Sequence, residues 1–254
     1  MSILAMITAF SLVLVALAVC RRQGLGLERD ILVGAGRATC QLLAMGLVLR
    51  YIFALDDWRW TTAMLAGMIT IAGANAARRG EGIPKARAIA TFGIGLGAGA
   101  TLLILLLLAI ITYRPSDVIP ISGMIVGNAM VASGLVLDRL RGEMESRQRE
   151  ILQALALGAT GRQAVDSILK ASIKAGMIPT IDWMRTLGIV QLPGMMTGLI
   201  LAGVSPLEAV RYQVVVAFML TSAVVLSSVT VGLLSCRQLF TPCHQLRGLA
   251  SSGR

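Results

Sequence analysis

Charge is scarce in this chain. Only 14% of its 254 residues are Asp, Glu, Lys or Arg, against about a quarter in an ordinary soluble domain, and that excludes a water-soluble globular protein. Histidine occurs once and cysteine four times, at Cys20, Cys40, Cys236 and Cys243. No two cysteines have CxxC spacing, and His244 beside Cys243 sits in a polar tail, so neither a disulfide framework nor a zinc site is supported. No stretch matches GxxxxGK[ST], so the chain has no P-loop with which to bind ATP itself. Aromatic residues make up 4% and are not interleaved with a basic face, so the formal charge of +10 does not mark a nucleic-acid surface. No basic residue precedes the apolar run from Ser2 to Cys20, which therefore lacks the leading charge of a signal peptide and reads as a retained helix.

What is present is apolar sequence: 56% of residues are hydrophobic and the mean hydropathy is +0.78. Runs of about 20 residues with few charges are long enough to cross ~30 Å of hydrocarbon as α-helix. Such runs lie near 2–20, 31–54, 58–77, 88–112, 118–137, 178–203 and 212–235, which predicts an all-α integral membrane protein of seven crossings in one domain over 1–254. Their connecting charges are lopsided. Seventeen Lys and Arg fall on one side: Arg21, Arg22 and Arg29, then 78–87, 139–174 and Arg237 to Arg254. The other side keeps Arg50, Arg59, Arg114 and Arg211. The positive-inside rule places the rich side in the cytoplasm, the N-terminus outside and the C-terminus inside. Trp58 and Trp60 fall where aromatic rings favour the interface.

Lipid provides no hydrophobic drive for helices to associate, so small residues that let backbones approach take its place. Gly93, Gly95, Gly97 and Gly99, and then Gly123 and Gly127, have that spacing. Gly95 to Ala100 also matches a dinucleotide fingerprint by letter, but it lies in an apolar crossing and follows no strand, so that reading is discarded.

The longest connection, about 40 residues over 138–177, is too short to fold as a catalytic domain. Within it, Gln148 to Leu157 has a helical pattern with Ile151, Ala154 and Leu155 on one face, ended by Gly158 at a left-handed cap. Thr160-Gly161-Arg162-Gln163 fits a capping box, and Val165, Ile168, Leu169 and Ile173 continue as an apolar stripe opposite Arg162, Asp166, Lys170 and Lys174. That pattern predicts a helix lying along the membrane surface. The periodicity alone fits both a docking elbow and a solvated connector.

Glu150–Thr160 (EILQALALGAT) resembles the coupling helix of ATP-binding-cassette permeases, the element that seats in a groove of the ATPase. Val33–Leu42 (VGAGRATCQL), Val118–Val131 (VIPISGMIVGNAMV), Ile178–Asp182 (IPTID) and Leu192–Ile200 (LPGMMTGLI), extended by Pro206 and Tyr212-Gln213, widen the likeness, and the chain resembles the FetB family of permeases along nearly its whole length. The resemblance implies the membrane subunit of an ABC transporter in the bacterial plasma membrane. Its partner would be a FetA-like ATP-binding-cassette ATPase, in a two-plus-two complex built on a permease homodimer. ATP and Mg would be held by the ATPase, with no cofactor in this chain. Coupling would fall to Glu150, Ala154, Leu155, Gly158, Ala159 and Thr160. Family members are linked to iron export and metal or oxidative-stress resistance, and plant relatives to aluminium tolerance and nucleotide sugars. Gly158 lies eight residues after Glu150, a longer spacing than the importer signature has, which weighs against an importer.

Ionisable groups at membrane depth cost about 2.5–3.5 kcal/mol even on mild scales, so they normally face a pathway or a partner. Arg37 and Gln41 share a helical face with Met45. Arg37 either snorkels to the cytoplasmic interface or serves the pathway or a dimer seam. Asp182 and Arg185 fit a structural ion pair. Asn128 shares a face with Met124, and Gln191 to Met196 interrupts the sixth run, where Pro193 removes a backbone donor. Met195, Met196, Met124 and Met130 suit either core packing or a soft metal, and Asn128 and Gln191 a harder one. The expected function is ATP-driven metal export. The alternatives are export of a sugar nucleotide or metal chelate, and a self-sufficient secondary carrier or channel.

Overall fold

A computed structural model describes residues 3–55, 57–241 and 245–246. Cys243, His244, Arg247, Arg254 and Ser2 lie outside the described residues. The chain divides into two compact units, 1–57 and 58–254. The first contains α1 (Ile3–Arg22) and α2 (Glu28–Leu55). The second contains α3 (Trp58–Ala77), a 3-10 turn at Arg78–Gly80, α4 (Ala86–Leu107), α5 (Pro115–Ser146), α6 (Gln148–Ala156), α7 (Gly161–Thr186), α8 (Gly194–Leu201) and α9 (Pro206–Gln238). Among the described residues α2, α4, α5 and α9 are long and apolar enough to cross a membrane by length and composition. With 32 and 33 residues, α5 and α9 are ~50 Å long, well beyond the ~30 Å of hydrocarbon.

In the second unit α5 and α9 lie against each other, α4 and α7 pack on both, α3 covers α4 and α5, and α8 lies on α9. Ile94 and Ala98 of α4, Ile125, Ala129 and Val136 of α5, Val165, Ile168 and Leu169 of α7, and Ala223 and Val231 of α9 form the buried core. Of the six glycines expected at close-packing spacing, Gly93 and Gly97 are the pair that contact demands. A Cβ at Gly93 would lie 2.5 Å from the Val231 side chain, and one at Gly97 2.8 Å from the Ala223 carbonyl oxygen. Nothing lies within 4 Å of a Cβ at Gly99 or Gly127. One stripe of α4 therefore meets the backbone of α9, the close approach that association in lipid relies on.

Three boundaries differ from the sequence expectation, each for a local reason. The long connection is mostly helix, because α5 continues past Asp138 to Ser146 on i,i+4 pairs between Arg139 and Glu143 at 2.7 Å and between Arg141 and Glu145 at 2.9 Å. The expected surface helix is the first half of α7, which runs unbroken through Pro179, with Val165, Ile168, Leu169 and Ser172 buried in the bundle. Its stripe faces protein rather than the membrane surface. The sixth run is interrupted, as expected from Pro193, but the break opens earlier, with α7 ending at Thr186 and Gly188 at φ 78°.

Gly97→Ala is expected to cost about 1–3 kcal/mol, since the opposing atoms are backbone and the helices have to part. Gly99→Ala has open space and is expected to be neutral. Thermal unfolding of the detergent-purified variants by circular dichroism checks this, and equal melting of Gly97→Ala and wild type would rule out the close α4–α9 contact.

Candidate functional site

Two places in the second unit lie at opposite ends of α5 and α9. At the first, where both helices begin, an open cavity of about 870 Å³ is lined by the end of α4, the N-terminal parts of α5 and α9, and Met195 of α8, with Glu208, Arg211 and Tyr212 exposed at its surface. The turn after α4 shapes one wall. Ala109 takes φ 50° while its N–H bonds the Leu106 carbonyl and the Ile110 N–H bonds that of Leu105, both at 3.0 Å. This is a left-handed helix cap of the kind usually given to glycine, and it carries Ile110 and Ile111 into the cavity wall.

Helices α5 and α9 start alike, with proline at the first position and an acid two residues on: Pro115-Ser116-Asp117 and Pro206-Leu207-Glu208. Proline fits where no N–H is required, and acids in the first turn meet the positive end of the helix dipole. Both acids line the cavity with Arg211 and Tyr212. Asp117 accepts hydrogen bonds from Thr112 Oγ1 at 2.9 Å and Ser116 Oγ at 3.1 Å. The Glu208 N–H donates to Ser205 Oγ at 3.3 Å, capping α9. Among the described residues neither Glu208 nor Arg211 has an ion-pair partner. The remaining wall is apolar, with the thioethers of Met124, Met195 and Met219 among it.

Of the residues singled out from sequence, Met195 and Met124 are brought together here, and Met196 is not in the lining. Asn128 is one turn beyond Met124, with an exposed side chain whose amide donates to the Met124 carbonyl at 2.9 Å, outside the cavity wall. Gln191 closes the interruption through its backbone, its N–H on Thr186 O at 3.3 Å and its carbonyl taking the Gly188 N–H at 2.9 Å, with its side chain exposed. Arg37 and Gln41 lie on α2 in the first unit, exposed on one face with Met45. Arg185 and Asp182 are paired at 3.4 Å, both exposed. Met130 accepts from Asn75 Nδ2 at 3.3 Å and ties α3 to α5, a packing role.

Sequence reading gave no site role to Asp117, Glu208 or Met219, counted Arg211 only as a loop charge and quoted Tyr212 only in the family likeness, although the repeated Pro-x-acid start was visible as a signal. Gln213, quoted in the same likeness, is 3% exposed and has no hydrogen-bond partner for either amide atom among the described residues.

The second place is the elbow at the far end of α5. Ile151 of α6 is buried in the core and Leu155 packs against it, so the short helix is pinned on the expected face. Glu150 is exposed and ion-paired to Arg147 at 2.7 Å, and its hydrogen bond pushes the Arg147 guanidinium's pKa up. Gly158 has φ 91°, its N–H bonding Leu155 O at 3.0 Å while Ala159 N–H bonds Ala154 O at 3.1 Å, the expected left-handed cap. Thr160 and Gln163 form the expected capping box of α7. Between the two caps the corner raises Leu157, 89% exposed, with Leu152 also exposed. The end of α9 reaches the same corner, where Phe240 leaves no room for a Cβ on Gly161.

Residues 3–240 match the model of the uncharacterised protein family UPF0014. The chain is 43% identical over 238 residues, 94% of its length and 92% of the relative's, to the "Probable iron export permease protein FetB" of Escherichia coli (strain K12). It is 37% identical over 240 residues, covering 94% and 84% of the two chains, to "UPF0014 membrane protein STAR2" of Oryza sativa subsp. japonica. It is 36% identical over 239 residues, covering 94% and 88%, to "Protein ALUMINUM SENSITIVE 3" of Arabidopsis thaliana. No solved structure matches the chain. The FetB-like motifs thus belong to a likeness that spans nearly every helix, and the chain is a member of the UPF0014 family of membrane proteins.

Proposed function

We propose that this chain is the membrane-spanning permease subunit of an ATP-driven exporter, with iron or another metal as its cargo. The observation that carries the reading is the elbow: a pinned short helix, a glycine-capped corner and an exposed Leu157, all on a chain with no P-loop of its own. A solvated connector has no need of a buried anchor at Ile151 or of two consecutive caps. The likeness to a protein named a probable iron export permease supports transport and the metal.

On this reading the chain crosses the bacterial plasma membrane seven times with the elbow in the cytoplasm, as the charge asymmetry requires. Glu150, Ala154, Leu155, Gly158, Ala159 and Thr160 meet a FetA-like ATP-binding-cassette ATPase, which holds ATP and Mg, in a complex of two permeases and two ATPases. Closure of the ATPases moves the elbow and rocks the helices around a central path, giving alternating access. Arg37 and Gln41, on an exposed face of α2, serve the path or the seam between the two permeases.

Export of a metal chelate is the second reading. Among the described residues no three of His, Cys, Asp and Glu are grouped so as to hold an ion, and the cavity is far roomier than a bare ion requires. Comparing ATPase stimulation of the reconstituted complex by free and chelated metal ions separates the two. Uptake by liposomes containing this chain alone would end the ATP-driven reading.

Gly158→Val is expected to cut co-purification with the ATPase at least tenfold and abolish transport while insertion continues. Nothing lies within 4 Å of a Cβ there, so the harm comes from a β-branched residue at positive φ, about 1–3 kcal/mol of strain. Gly158→Asn, which tolerates that conformation, is expected to retain most activity. Normal ATPase association by Gly158→Val would count against the elbow.

Thr160→Cys in a variant otherwise free of cysteine is expected to react with a membrane-impermeant maleimide only after cells are opened. Labelling of intact cells would invert the topology.

A further inference from the structure

The cavity at the start of α5 and α9 has the size of an organic ligand site. Its volume of about 870 Å³ falls in the range of drug-sized pockets, roughly 300–1,000 Å³. A hard cation stripped of water needs six or so oxygen ligands close about it, whereas this wall gives two carboxylates, Asp117 and Glu208, on different helices. What it has in quantity is apolar surface.

The charge balance gives the sign of the ligand. Two carboxylates line the wall with one guanidinium, that of Arg211, so its ionisable side chains sum to one negative charge. Asp117 accepts from two hydroxyls, yet a carboxylate offers about four acceptor positions, so both its oxygens keep capacity for a ligand. Glu208 has no ion-pair partner among the described residues, even though Arg211 is one turn away on the same helix. The Tyr212 ring and the polarizable thioethers suit a cation whose charge is spread over an apolar body.

We propose that this cavity binds a bulky lipophilic cation, either an organic onium ion or a metal enclosed in an apolar chelating shell. The role in export rests on the permease reading above, but binding does not. The test therefore reads binding by the purified full-length chain without its ATPase, and either proposal can fail alone.

Equilibrium dialysis of the chain in detergent against radiolabelled tetraphenylphosphonium is expected to give one saturable site per chain. Glu208→Gln and Asp117→Asn, which keep side-chain shape, are each expected to weaken it about tenfold, the scale of one lost charge contact. Glu145→Gln at the far end of α5, exposed and outside both the cavity and the elbow contacts, is expected to change nothing, and it controls for general effects of charge removal. Tetraphenylborate has the same shape and opposite charge, and, dialysed alone because the two ions pair in solution, is expected not to bind saturably. Competition by tris(2,2′-bipyridine)iron(II) would assign the pocket to a chelated metal, and its failure to compete, with tetraphenylphosphonium still bound, to an onium ion. Saturable binding of tetraphenylborate with equal affinity, displacement by bare ferrous ion at the same concentration, or wild-type binding by Glu208→Gln and Asp117→Asn alike would overturn the proposal.

Discussion

In hydrocarbon every backbone N–H and C=O must find its partner within the protein, because water is not there to take one, and each failure costs several kcal/mol. Continuous helix is the simplest solution, and it accounts for most of this chain. The departures are informative because each has to satisfy itself. In the interruption between α7 and α8, the Thr186 carbonyl receives the N–H groups of Ile189, Val190 and Gln191 at 3.0–3.3 Å, and Gly188 donates to Gln191. The chain thus folds a tight knot around one acceptor before Pro193, which has no donor to satisfy, starts α8. The turn after α4 solves the same problem with a left-handed cap at Ala109, and the corner after α6 repeats the device at Gly158. Irregular backbone in a membrane protein is tolerated only where such partners exist, and here it occurs beside the cavity and at the elbow.

Side chains meet the constraint less completely. Thr101, Ser172, Ser227 and Thr230 return their hydroxyls to carbonyls one turn back on their own helix. Ser133, Ser228, Ser235 and Gln213 are buried with no such bond among the described residues, and three of the four are on α9. A helix selected only for packing would hold alanine there, since an unpaired buried hydroxyl or amide costs about 1–3 kcal/mol. The unpaired polar load is therefore concentrated on the helix that also gives Glu208, Arg211 and Tyr212 to the cavity wall.

The sequence exposed what depends on local chemistry and hid what depends on hydropathy bookkeeping. The Gly158 cap, the Thr160–Gln163 box, the inward face of α6 and the interruption before Pro193 each follow from short-range rules that hold in water and lipid alike, and each appears. The extension of α5 was missed because Arg139 to Glu145 reads as a polar loop to any hydropathy window, although its i,i+4 charges favour helix. The first half of α7 was assigned to the membrane surface because an amphipathic stripe does not say whether lipid or protein covers it. Gly176 sits against Ala132 and Val136 of α5, and Leu169 and Ile173 against Gly232 of α9, neighbours that only the tertiary fold supplies. Asp117 and Glu208 went unremarked because helix-capping acids are common, and their convergence is a property of two helices about ninety residues apart in sequence.

Helices α5 and α9 begin at the cavity and end at the elbow, so the same two rods bound both. Helical backbone resists bending over a few turns, and a displacement of the corner by an ATPase would reach the cavity as a tilt rather than be absorbed on the way. Pro120 sets where that tilt can be taken up. It lines the cavity on the second turn of α5 and lacks the N–H that would bond the Ser116 carbonyl, which makes its level the weakest in the rod. Downstream, α5 is held against α7 where Gly176 meets Ala132 and Val136. Flexure along α5 is thus easiest at the level of Pro120, one turn from Asp117 in the cavity wall. If the chain is the permease proposed above, charges on two such rods would let a binding site change its grip without any change in the residues themselves, which is what alternating access demands.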